Sequence, residues 1–385
     1  MSGRPGGPAI PFNRPSFVGN ERRYMEEALA LGHVSGDGEF TRRCHALLRA
    51  ALGVPSVLLT TSCTHALEMA ALLLDIRPGD EVVVPDFTFV STANAFVLRG
   101  ARPVFADIRP DTLNLDERLL ASKLTPKTRA IVPVHYAGVG CAMDEILSIA
   151  AQREVPVVED NAHGLFGARG GRLLGTRGAL AALSFHETKN FSCGEGGALL
   201  INDERYVARA EIIREKGTNR KRFFRGEVDR YTWVDLGSSY LPSDLLAAYL
   251  FAQLEQKAAV LAARRRIFDR YREGLTDWAE KTGAILPTVP ADCQPSFHMF
   301  YVVMPTPNAR TSLIESLKAR GILAVFHYLP LHLSEMGRRF GGRPGDCPVS
   351  EAISERLVRL PFYTSLSEDD QERVIEAVRA APLRA

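Results

Sequence analysis

A single lysine stands where a reactive amine would be useful. Lys189 follows the apolar run Ala181–Phe185 and precedes a glycine-rich stretch, Gly194–Gly197. A lysine placed where the chain leaves a buried strand is partly desolvated, and desolvation lowers the pKa of its amine. The neutral amine is then a usable nucleophile toward a carbonyl carbon. Most lysines are solvated surface residues, so Lys189 needs support from other features before a Schiff base is inferred.

A hydroxyl-rich turn, Thr60-Thr-Ser-Cys-Thr64, lies between a predicted strand and a predicted helix. The first backbone N–H groups of a helix have no partner within it and therefore attract an anion. With the hydroxyls of Ser62 and Thr64 beside them, these groups predict a phosphate site. The alternative is that Ser62 or Thr64 acts only as the N-cap of the helix.

An acidic residue, Asp160, ends a further apolar run, Pro156–Asp160. The carboxyl ends of parallel strands face the ligand crevice of an open α/β sheet. A carboxylate at this position is able to hold a protonated ring nitrogen. Taken alone, Asp160 would equally suit a cap for the next helix or a partner for an arginine.

Together, the turn, the acid and the lysine predict a site for pyridoxal phosphate. The turn would hold the phosphate, and Asp160 would keep the pyridine nitrogen protonated so that the ring acts as an electron sink. Lys189 would form the imine and move the proton. The sequence has no GxGxxG after a strand and no GxxxxGK[ST], which disfavours a Rossmann dehydrogenase and a P-loop NTPase.

Short apolar runs between residues 56 and 202 predict the sheet that positions these groups. Most are continuous rather than alternating, which is typical of strands buried on both faces. Helical patterns at Thr64–Asp75, Met143–Arg153 and Arg205–Lys216 separate several of them, which favours a mostly parallel sheet covered on both sides. The last two runs are so close in sequence that a hairpin-like connection is expected. The runs are Ser56–Thr61, Glu81–Pro85, Pro103–Asp107, Ala130–His135, Pro156–Asp160, Ala181–Phe185 and Gly197–Asn202.

From about residue 243 the pattern changes to that of a smaller second unit. Asp244–Asp277 reads as a long helical stretch, bent near its middle, and a Pro-rich loop follows at Pro287–Pro295. We expect an N-terminal arm at residues 1–24, a large cofactor-binding domain at 25–250 and a small C-terminal α+β domain at 251–385. The predicted elements of the last domain are a strand at Met299–Met304, a helix at Arg310–Arg320, a strand at Leu323–Tyr328 and a helix at Glu368–Ala381.

Composition limits the remaining classes of function. The 385 residues carry 47 Lys and Arg against 45 Asp and Glu, so the net charge of +2 gives no reason to expect nucleic acid or an anionic membrane as partner. No run approaches the ~18 apolar residues of a membrane helix, and Met1–Asn13 lacks the apolar core of a signal peptide.

The six cysteines are scattered without a C-x-x-C pair, and no HExxH occurs. These patterns predict neither disulfides nor a metal site, and they fit a reducing cytoplasm.

Motifs spread along the chain carry a family resemblance. They are Thr61–Ala70, Pro78–Asn94, Pro133–Tyr136, Glu159–His163, Ser184–Lys189, Gly194–Gly197, Glu215–Arg220, Gly237–Ser243, Phe326–His332 and Arg359–Pro361. In this order they resemble the DegT/DnrJ/StrS family of sugar-nucleotide aminotransferases. The resemblance covers nearly the whole chain. It implies the α/β, aspartate aminotransferase-like PLP fold type I with a mostly parallel seven-stranded sheet, and a homodimer with shared active sites.

Carried over by position, the resemblance assigns roles around the cofactor. Lys189 is implied to be the Schiff-base lysine and general acid/base, and Asp160 the partner of the pyridine nitrogen. His163 takes the place of the residue near the cofactor O3′. Phe89 is implied to stack on the ring, with a position in the core as the lesser alternative for a Phe in this apolar stretch. The residues implied to hold the phosphate are Ser62, Cys63, Thr64 and Ser184.

One segment departs from the family pattern. Many relatives carry G-Y-N-Y-R, whose Asn reaches the cofactor phosphate of the partner subunit, whereas this chain has Gly237-Ser-Ser-Tyr-Leu241. Ser239 takes the Asn position and is still able to donate one hydrogen bond. Leu241 cannot replace the Arg.

Within the family, the SCTHALEMAALLLD and SFHETKN segments most resemble TDP-4-keto-6-deoxy-D-glucose 4-aminotransferases. This implies transfer of an amino group from L-glutamate to C4 of the sugar, giving TDP-4-amino-4,6-dideoxy-D-hexose (galacto or gluco) for antigen or antibiotic deoxysugar biosynthesis. The basic run Arg214–Arg225, which includes Arg222, is expected to meet the substrate diphosphate. The alternatives are a PLP-dependent sugar dehydratase, in which a His replaces the lysine, and a non-catalytic sensor. The residues expected to contact substrate are Tyr136, Lys216, Asn219, Arg220, His327 and His332, of which His332 equally suits a structural role.

Overall fold

Twelve strands and fourteen α-helices lie within residues 9–383, the part of the chain that the computed structural model describes. The strands are β1 (Ser56–Thr60), β2 (Glu81–Pro85), β3 (Arg102–Ala106), β4 (Thr128–Ile131), β5 (Val158–Asp160), β6 (Ala168–Arg169), β7 (Arg172–Leu173), β8 (Leu180–Ser184), β9 (Gly197–Ile201), β10 (Cys293–Gln294), β11 (Tyr301–Val303) and β12 (Leu357–Arg359).

The helices flank and follow these strands. They are α1 (Glu21–Ala30), α2 (Glu39–Leu52), α3 (Cys63–Leu73), α4 (Ser91–Val97), α5 (Glu117–Lys123), α6 (Met143–Ala151), α7 (Val207–Arg214), α8 (Arg220–Phe224), α9 (Asp244–Glu255), α10 (Lys257–Thr282), α11 (Pro307–Ala319), α12 (Glu335–Arg339), α13 (Pro348–Ser354) and α14 (Glu368–Arg379). Short 3₁₀ helices span Tyr136–Gly138, Glu204–Tyr206 and Leu331–Leu333.

The central strands form two groups, in the orders β1-β9-β8-β5 and β3-β2-β4. Parallel bridges from Ile131 to Val157 and from Val134 to Asp160 connect the end of β4 with β5. Strand β2 is parallel to β3 and β4, and β5 is parallel to β8. Strand β9 is antiparallel to both of its neighbours, β1 and β8, as the short connection after β8 predicts. The carboxyl ends of β5 and β8 therefore lie side by side.

Both faces of this sheet are covered, which explains the continuous apolar runs. Along β8, Leu180 and Ala182 pack into the cluster that contains α3, whereas Ala181 and Leu183 pack into the opposite cluster with α2 and α9. A strand buried on both faces needs apolar side chains at successive positions rather than at alternate ones.

The C-terminal part of the chain has a hydrophobic cluster of its own. It joins Tyr271 of α10 with Phe300, Leu313 of α11 and Val374 of α14, and it includes Ile10 from the N-terminal segment. The proposed boundary at residue 250 lies within α9, and that at residue 24 lies within α1. Residues 1–8 of the proposed N-terminal arm and residues 384 and 385 lie outside the described residues.

The long helical stretch expected from Asp244, with a bend within it, is interrupted at Gln256 and forms the two helices α9 and α10. The strand expected at Leu323–Tyr328 is wrong: its backbone pairs with a strand only through the bridge from Val325 to Arg359. The chain then turns toward a cavity, which His327 and Tyr328 line, so the ladder does not continue. No helix in the described part of the chain combines the length and apolarity that a membrane span requires.

Candidate active site

A cavity of about 540 Å³ opens where β5 and β8 end and α3 begins. Parallel strands of an α/β sheet direct the residues after their carboxyl ends toward one crevice. The structure therefore collects side chains from segments that are far apart in sequence. The predicted residues that line this cavity are Ser62, Cys63, Thr64, Phe89, Asp160, His163, Ser184, Lys189 and His327.

The amine of Lys189 is tuned toward its neutral form. Burial lowers the pKa of Lys189 to about 8. The positive charge of Arg359 acts in the same direction, whereas Cys63 and Asp160 oppose it. An amine with a pKa near 8 is available both as a nucleophile and as a proton carrier close to neutral pH.

Asp160 is a buried carboxylate whose hydrogen-bond partners leave room for a ring N–H. Its Oδ2 accepts a hydrogen bond from the Thr92 hydroxyl (2.7 Å), and its Oδ1 accepts one from the backbone N–H of Ala162 (3.1 Å). Burial raises the pKa of Asp160, and these two hydrogen bonds and the charge of Lys189 oppose that rise. Asp160 has no arginine partner among residues 9–383, so the ion pair considered from the sequence is wrong.

The turn before α3 forms a cup of hydroxyl and N–H groups. Ser62 is the N-cap of α3, and its Oγ accepts a hydrogen bond from the backbone N–H of His65 (3.1 Å). The cap does not use the N–H groups of Cys63 and Thr64, and N–H groups at the start of a helix attract an anion. The Thr64 hydroxyl lies 2.8 Å from the hydroxyl of Ser91, which lines the same cavity.

A glycine allows the cup to form. Gly197 begins β9 and passes against the backbone of Ser62 and Cys63, so closely that a Cβ atom at residue 197 would overlap both. The glycine-rich motif therefore serves close packing of β9 against the start of α3.

Aromatic and imidazole rings form the remaining walls. Phe89 is 56% exposed and lines the cavity, so the alternative of a core position is wrong, and Phe87 occupies the core instead. His163 stacks on His298 with ring centroids 4.3 Å apart, and its Nδ1 is buried without a hydrogen-bond partner. Burial lowers the pKa values of His163, His298 and His327, so these rings are neutral.

Tyr136 lies behind this wall rather than on the cavity surface. It is fully buried, and its hydroxyl lies 2.9 Å from Nδ1 of His327. It therefore contacts the cavity through His327.

Four of the predicted residues lie away from the cavity within this chain. Lys216 and Ser239 are exposed. Asn219 accepts a hydrogen bond from the backbone N–H of Thr232 (2.7 Å). Arg220 forms an ion pair with Glu215 (2.8 Å).

His332 also lies outside the cavity and is fully buried. Its backbone N–H donates to Asp86 Oδ1 (2.7 Å), and its Nε2 lies 3.0 Å from Glu351 Oε1. Of the two roles considered from the sequence, these contacts favour the structural one.

Three further residues at the site are not among the site residues predicted from the sequence. Thr92 lies on α4, His298 follows the Pro-rich loop, and Arg359 ends β12. Arg359 and His298 line the cavity, while Thr92 acts on it through Asp160. The motif Arg359–Pro361 contains Arg359, but the sequence does not show that this arginine lies close enough to Lys189 to lower its pKa.

These groups fit pyridoxal phosphate. The start of α3 suits a phosphate, the buried Asp160 carboxylate suits a protonated ring nitrogen, and Lys189 supplies an amine with a pKa of about 8. The unpartnered Nδ1 of His163 is a further polar group at the cavity wall.

Comparison with known proteins extends this result to the whole chain. The profile of the DegT/DnrJ/EryC1/StrS aminotransferase family matches residues 15–379. The spore coat polysaccharide biosynthesis protein SpsC of Bacillus subtilis is 33% identical over 378 residues, which are 96% of each chain.

Solved structures give the same result. The aminotransferase TlmJ from Streptoalloteichus hindustanus is 32% identical, with a TM-score of 0.89 over 97% of this chain and 98% of that one. A putative sugar aminotransferase from Streptococcus pneumoniae is 26% identical, with TM-scores of 0.89 for its PLP-form and 0.90 for its PMP-form. Each form is matched over 96% of this chain and 98% of its own.

The mixed α/β architecture is thus that of PLP-dependent aminotransferases of fold type I. The cofactor is pyridoxal phosphate, which alternates with pyridoxamine phosphate. Because the family profile spans almost the full length, the chain belongs to the DegT/DnrJ/EryC1/StrS aminotransferase family.

Proposed function

We propose that this protein transfers an amino group from L-glutamate to C4 of TDP-4-keto-6-deoxy-D-glucose, giving a TDP-4-amino-4,6-dideoxyhexose. The observation that carries the proposal is that Lys189, Asp160 and the start of α3 meet in one cavity. The names of the relatives, which refer to a sugar aminotransferase and to polysaccharide biosynthesis, support a sugar as acceptor. The motifs quoted above support the C4 position and the TDP group, and the cytoplasm is the proposed compartment.

Each residue of the cavity has a defined task in this proposal. Bound pyridoxal phosphate supplies an electron sink. Lys189 takes a proton from the donor carbon and later delivers a proton to C4 of the sugar. Asp160 holds the ring nitrogen in its protonated form, and His163 remains neutral beside the ring. Phe89, half exposed at the cavity, is placed to cover one ring face.

Arg359 is the group best placed to bind the carboxylate of the amino donor. Its guanidinium stacks over the ring of Phe12 (4.6 Å to the centroid), and its buried Nε has no hydrogen-bond partner. No ion pair to a carboxylate forms at Arg359 within residues 9–383. A guanidinium with its edge free binds a carboxylate bidentately. The carboxylate of the amino donor is attached directly to the reacting carbon, whereas the diphosphate of the sugar nucleotide is separated from C4 by the sugar ring. Because the Arg359 guanidinium lines the same cavity as Lys189, it is better placed to bind the donor carboxylate than the diphosphate.

A second copy of the chain would complete the site for the sugar nucleotide. Segment 214–239 carries Lys216, Asn219, Arg220 and Ser239, which lie away from the cavity of their own chain. The same segment exposes large apolar side chains, with Trp233 75% and Phe224 69% exposed. Apolar surface of this kind marks an interaction site, and a two-fold dimer would bring this segment to the partner's cavity.

The decisive experiment combines the purified protein with pyridoxal phosphate, L-glutamate and TDP-4-keto-6-deoxy-D-glucose. We expect 2-oxoglutarate and an amino sugar, with the configuration at C4 assigned from NMR coupling constants. Loss of the sugar hydroxyl without gain of nitrogen would identify a dehydratase. A protein that binds the cofactor but consumes neither substrate would identify a sensor.

A further inference from the structure

A second cluster of titratable side chains lies outside the Lys189 cavity. Asp86, His332 and Cys347 are all fully buried. One ligand atom of each lies within 4.8 Å of those of the other two, and no other such group of His, Cys, Asp and Glu occurs in the described part of the chain. The three residues come from distant segments: the end of β2, the 3₁₀ helix Leu331–Leu333 and the position before α13.

Two polar atoms in this cluster face each other without a well-aligned hydrogen bond. His332 Nδ1 lies 2.8 Å from Asp86 Oδ2, which is close enough for an ion pair. Nevertheless, both atoms are buried and neither has a hydrogen bond of acceptable geometry. Buried polar atoms are nearly always satisfied in folded proteins. A positive charge between the two atoms would satisfy both.

Neighbouring groups hold the three side chains in place. His332 Nε2 lies 3.0 Å from Glu351 Oε1, while Asp86 Oδ1 accepts the backbone N–H of His332. A histidine that ligates a metal through one ring nitrogen usually donates its other N–H to a carboxylate in this way. Asp107 accepts hydrogen bonds from the backbone N–H groups of residues 349 and 350, which fixes the chain just after Cys347.

We propose that Asp86, His332 and Cys347 form a zinc site that the sequence motifs do not predict. One oxygen, one imidazole nitrogen and one thiolate sulfur form a ligand set that suits Zn²⁺ better than Mg²⁺ or Ca²⁺. On binding, the Cys347 thiol releases its proton to solvent and the Zn–S bond forms. The charges of the Asp86 carboxylate and the Cys347 thiolate then balance the two charges of the ion.

One of the three residues, His332, borders a cleft of about 420 Å³ that Gly342 and Asp346 also line. The ion enters through it, and a water molecule from the same cleft supplies the fourth ligand of a tetrahedral site.

The site connects the C-terminal part of the chain to the cofactor cavity. Asp86 immediately precedes the segment 87–89, in which Phe89 lines the cavity. The backbone carbonyl of Asp86 accepts a hydrogen bond from the N–H of Leu331 (3.1 Å). A metal bonded to Asp86 and His332 would therefore fix the segment that carries Phe89.

The test uses the full-length protein and measures metal directly. Protein purified without chelator is expected to contain one zinc per chain by elemental analysis. After chelation and loading with Co²⁺, it should show the thiolate-to-cobalt absorption band in the near ultraviolet. Chelation should also lower Tm by about 5 °C or more, because a metal bound only by the folded state stabilises it.

Cys347→Ala and Cys44→Ser form the variant pair. Cys44 is equally buried but belongs to the cluster of α2 and α9, and it is not part of a group of three potential metal ligands. We expect the cobalt band to be lost in Cys347→Ala and retained in Cys44→Ser. If Cys347→Ala does not fold, the metal content and cobalt band of the unsubstituted protein still decide the question.

Two results would overturn the proposal. Unsubstituted protein with no zinc, no cobalt band and a Tm unaffected by chelator would show that His332 instead serves only as a structural link between Asp86 and Glu351. A cobalt band that persists in Cys347→Ala would place the metal at another site.

Discussion

At the residue scale, the amine of Lys189 is controlled by neighbours of opposite sign. Arg359 and burial favour the neutral amine, whereas Asp160 and Cys63 favour the charged one. The balance gives a pKa of about 8, so both forms of the amine are populated near neutral pH. A residue with this pKa is suited to pick up a proton from one carbon and return it to another.

Replacing Lys189 tests its role most directly. Lys189→Ala should lower turnover at least about 1000-fold, because it removes both the covalent link and the proton carrier. The change shortens a side chain at a cavity wall, so the fold and non-covalent cofactor binding should persist. The measurement is 2-oxoglutarate formation, with circular dichroism as a check on folding. Lys127→Ala, on the exposed surface, is the matched control; unchanged turnover in Lys189→Ala would exclude this lysine.

The pKa of Lys189 also predicts a pH dependence. Only the neutral amine attacks the cofactor carbonyl, and burial lowers the pKa to about 8 from the ordinary value near 10.5. The rate at which cofactor-free protein develops visible absorption with added pyridoxal phosphate should therefore rise with pH and level off above about 8. A rate that continues to rise up to pH 10 would show an ordinary, solvated lysine.

Arg359 gives a prediction that separates the two substrates. Arg359→Met should raise the KM for L-glutamate about 10-fold or more, because a charge-assisted carboxylate contact is lost, and leave the KM for the sugar nucleotide nearly unchanged. Binding of 2-oxoglutarate, measured by calorimetry, should weaken in parallel. Arg356→Met, three residues earlier and outside the cavity, is the control. A change confined to the sugar-nucleotide KM would assign Arg359 to the diphosphate instead.

At the element scale, the site depends on the contact between the start of β9 and the start of α3. Gly197→Ala would push the backbone of Ser62 and Cys63 out of position. Cofactor affinity should fall about 10-fold or more, since the N–H groups no longer converge on the phosphate. Ser62→Ala is the comparison: it removes the N-cap and costs about 1 kcal/mol of stability, yet leaves those N–H groups in place. Equal cofactor affinities in both variants would argue against this cup.

The elements that the sequence predicts well are those with a local signal. The runs that end at Asp160 and at Ser184 are apolar throughout because both of their faces are buried, and that pattern is legible without the structure. The segment 323–328 has a similar composition but pairs only at Val325. Strand formation in this segment requires a neighbouring strand to pair with, and the tertiary fold decides whether such a strand is present.

The same distinction applies to the site residues. Lys189, Asp160 and the turn before α3 follow strand ends, and strand ends are visible in the sequence. Thr92 and His298 reach the site from a helix and a loop by tertiary packing. The Asp86, His332 and Cys347 cluster is of the same kind, because its three residues have no characteristic spacing. A metal site was therefore not predicted from the sequence.

At the scale of the whole molecule, the net charge of +2 hides a strongly basic segment with a large exposed apolar surface. Arg222 is paired with Glu227 at the surface, where ion pairs contribute little to stability, whereas Arg220 is about half exposed and pairs with the buried Glu215. Arg222 is therefore able to exchange its partner for a diphosphate at little cost, whereas Arg220 would have to leave the buried Glu215 to do so. Within one chain, however, they lie away from the Lys189 cavity, so the proposed function requires that two chains share each site.

Mixed dimers test this sharing. One parent carries Lys189→Ala, and the other carries Arg220→Ala with Arg222→Ala, which should raise the sugar-nucleotide KM because phosphate contacts are lost. If Lys189 and the arginines of one site come from different chains, a mixed dimer contains one site with both defects and one intact site. Mixing the parents and allowing the subunits to exchange should then restore about a quarter of the unsubstituted activity at low sugar-nucleotide concentration, for random pairing in a two-fold dimer. Sedimentation should show dimers throughout. If each site is built from a single chain, every site in the mixture keeps the defect of its own chain, and the activity stays at the average of the two parents.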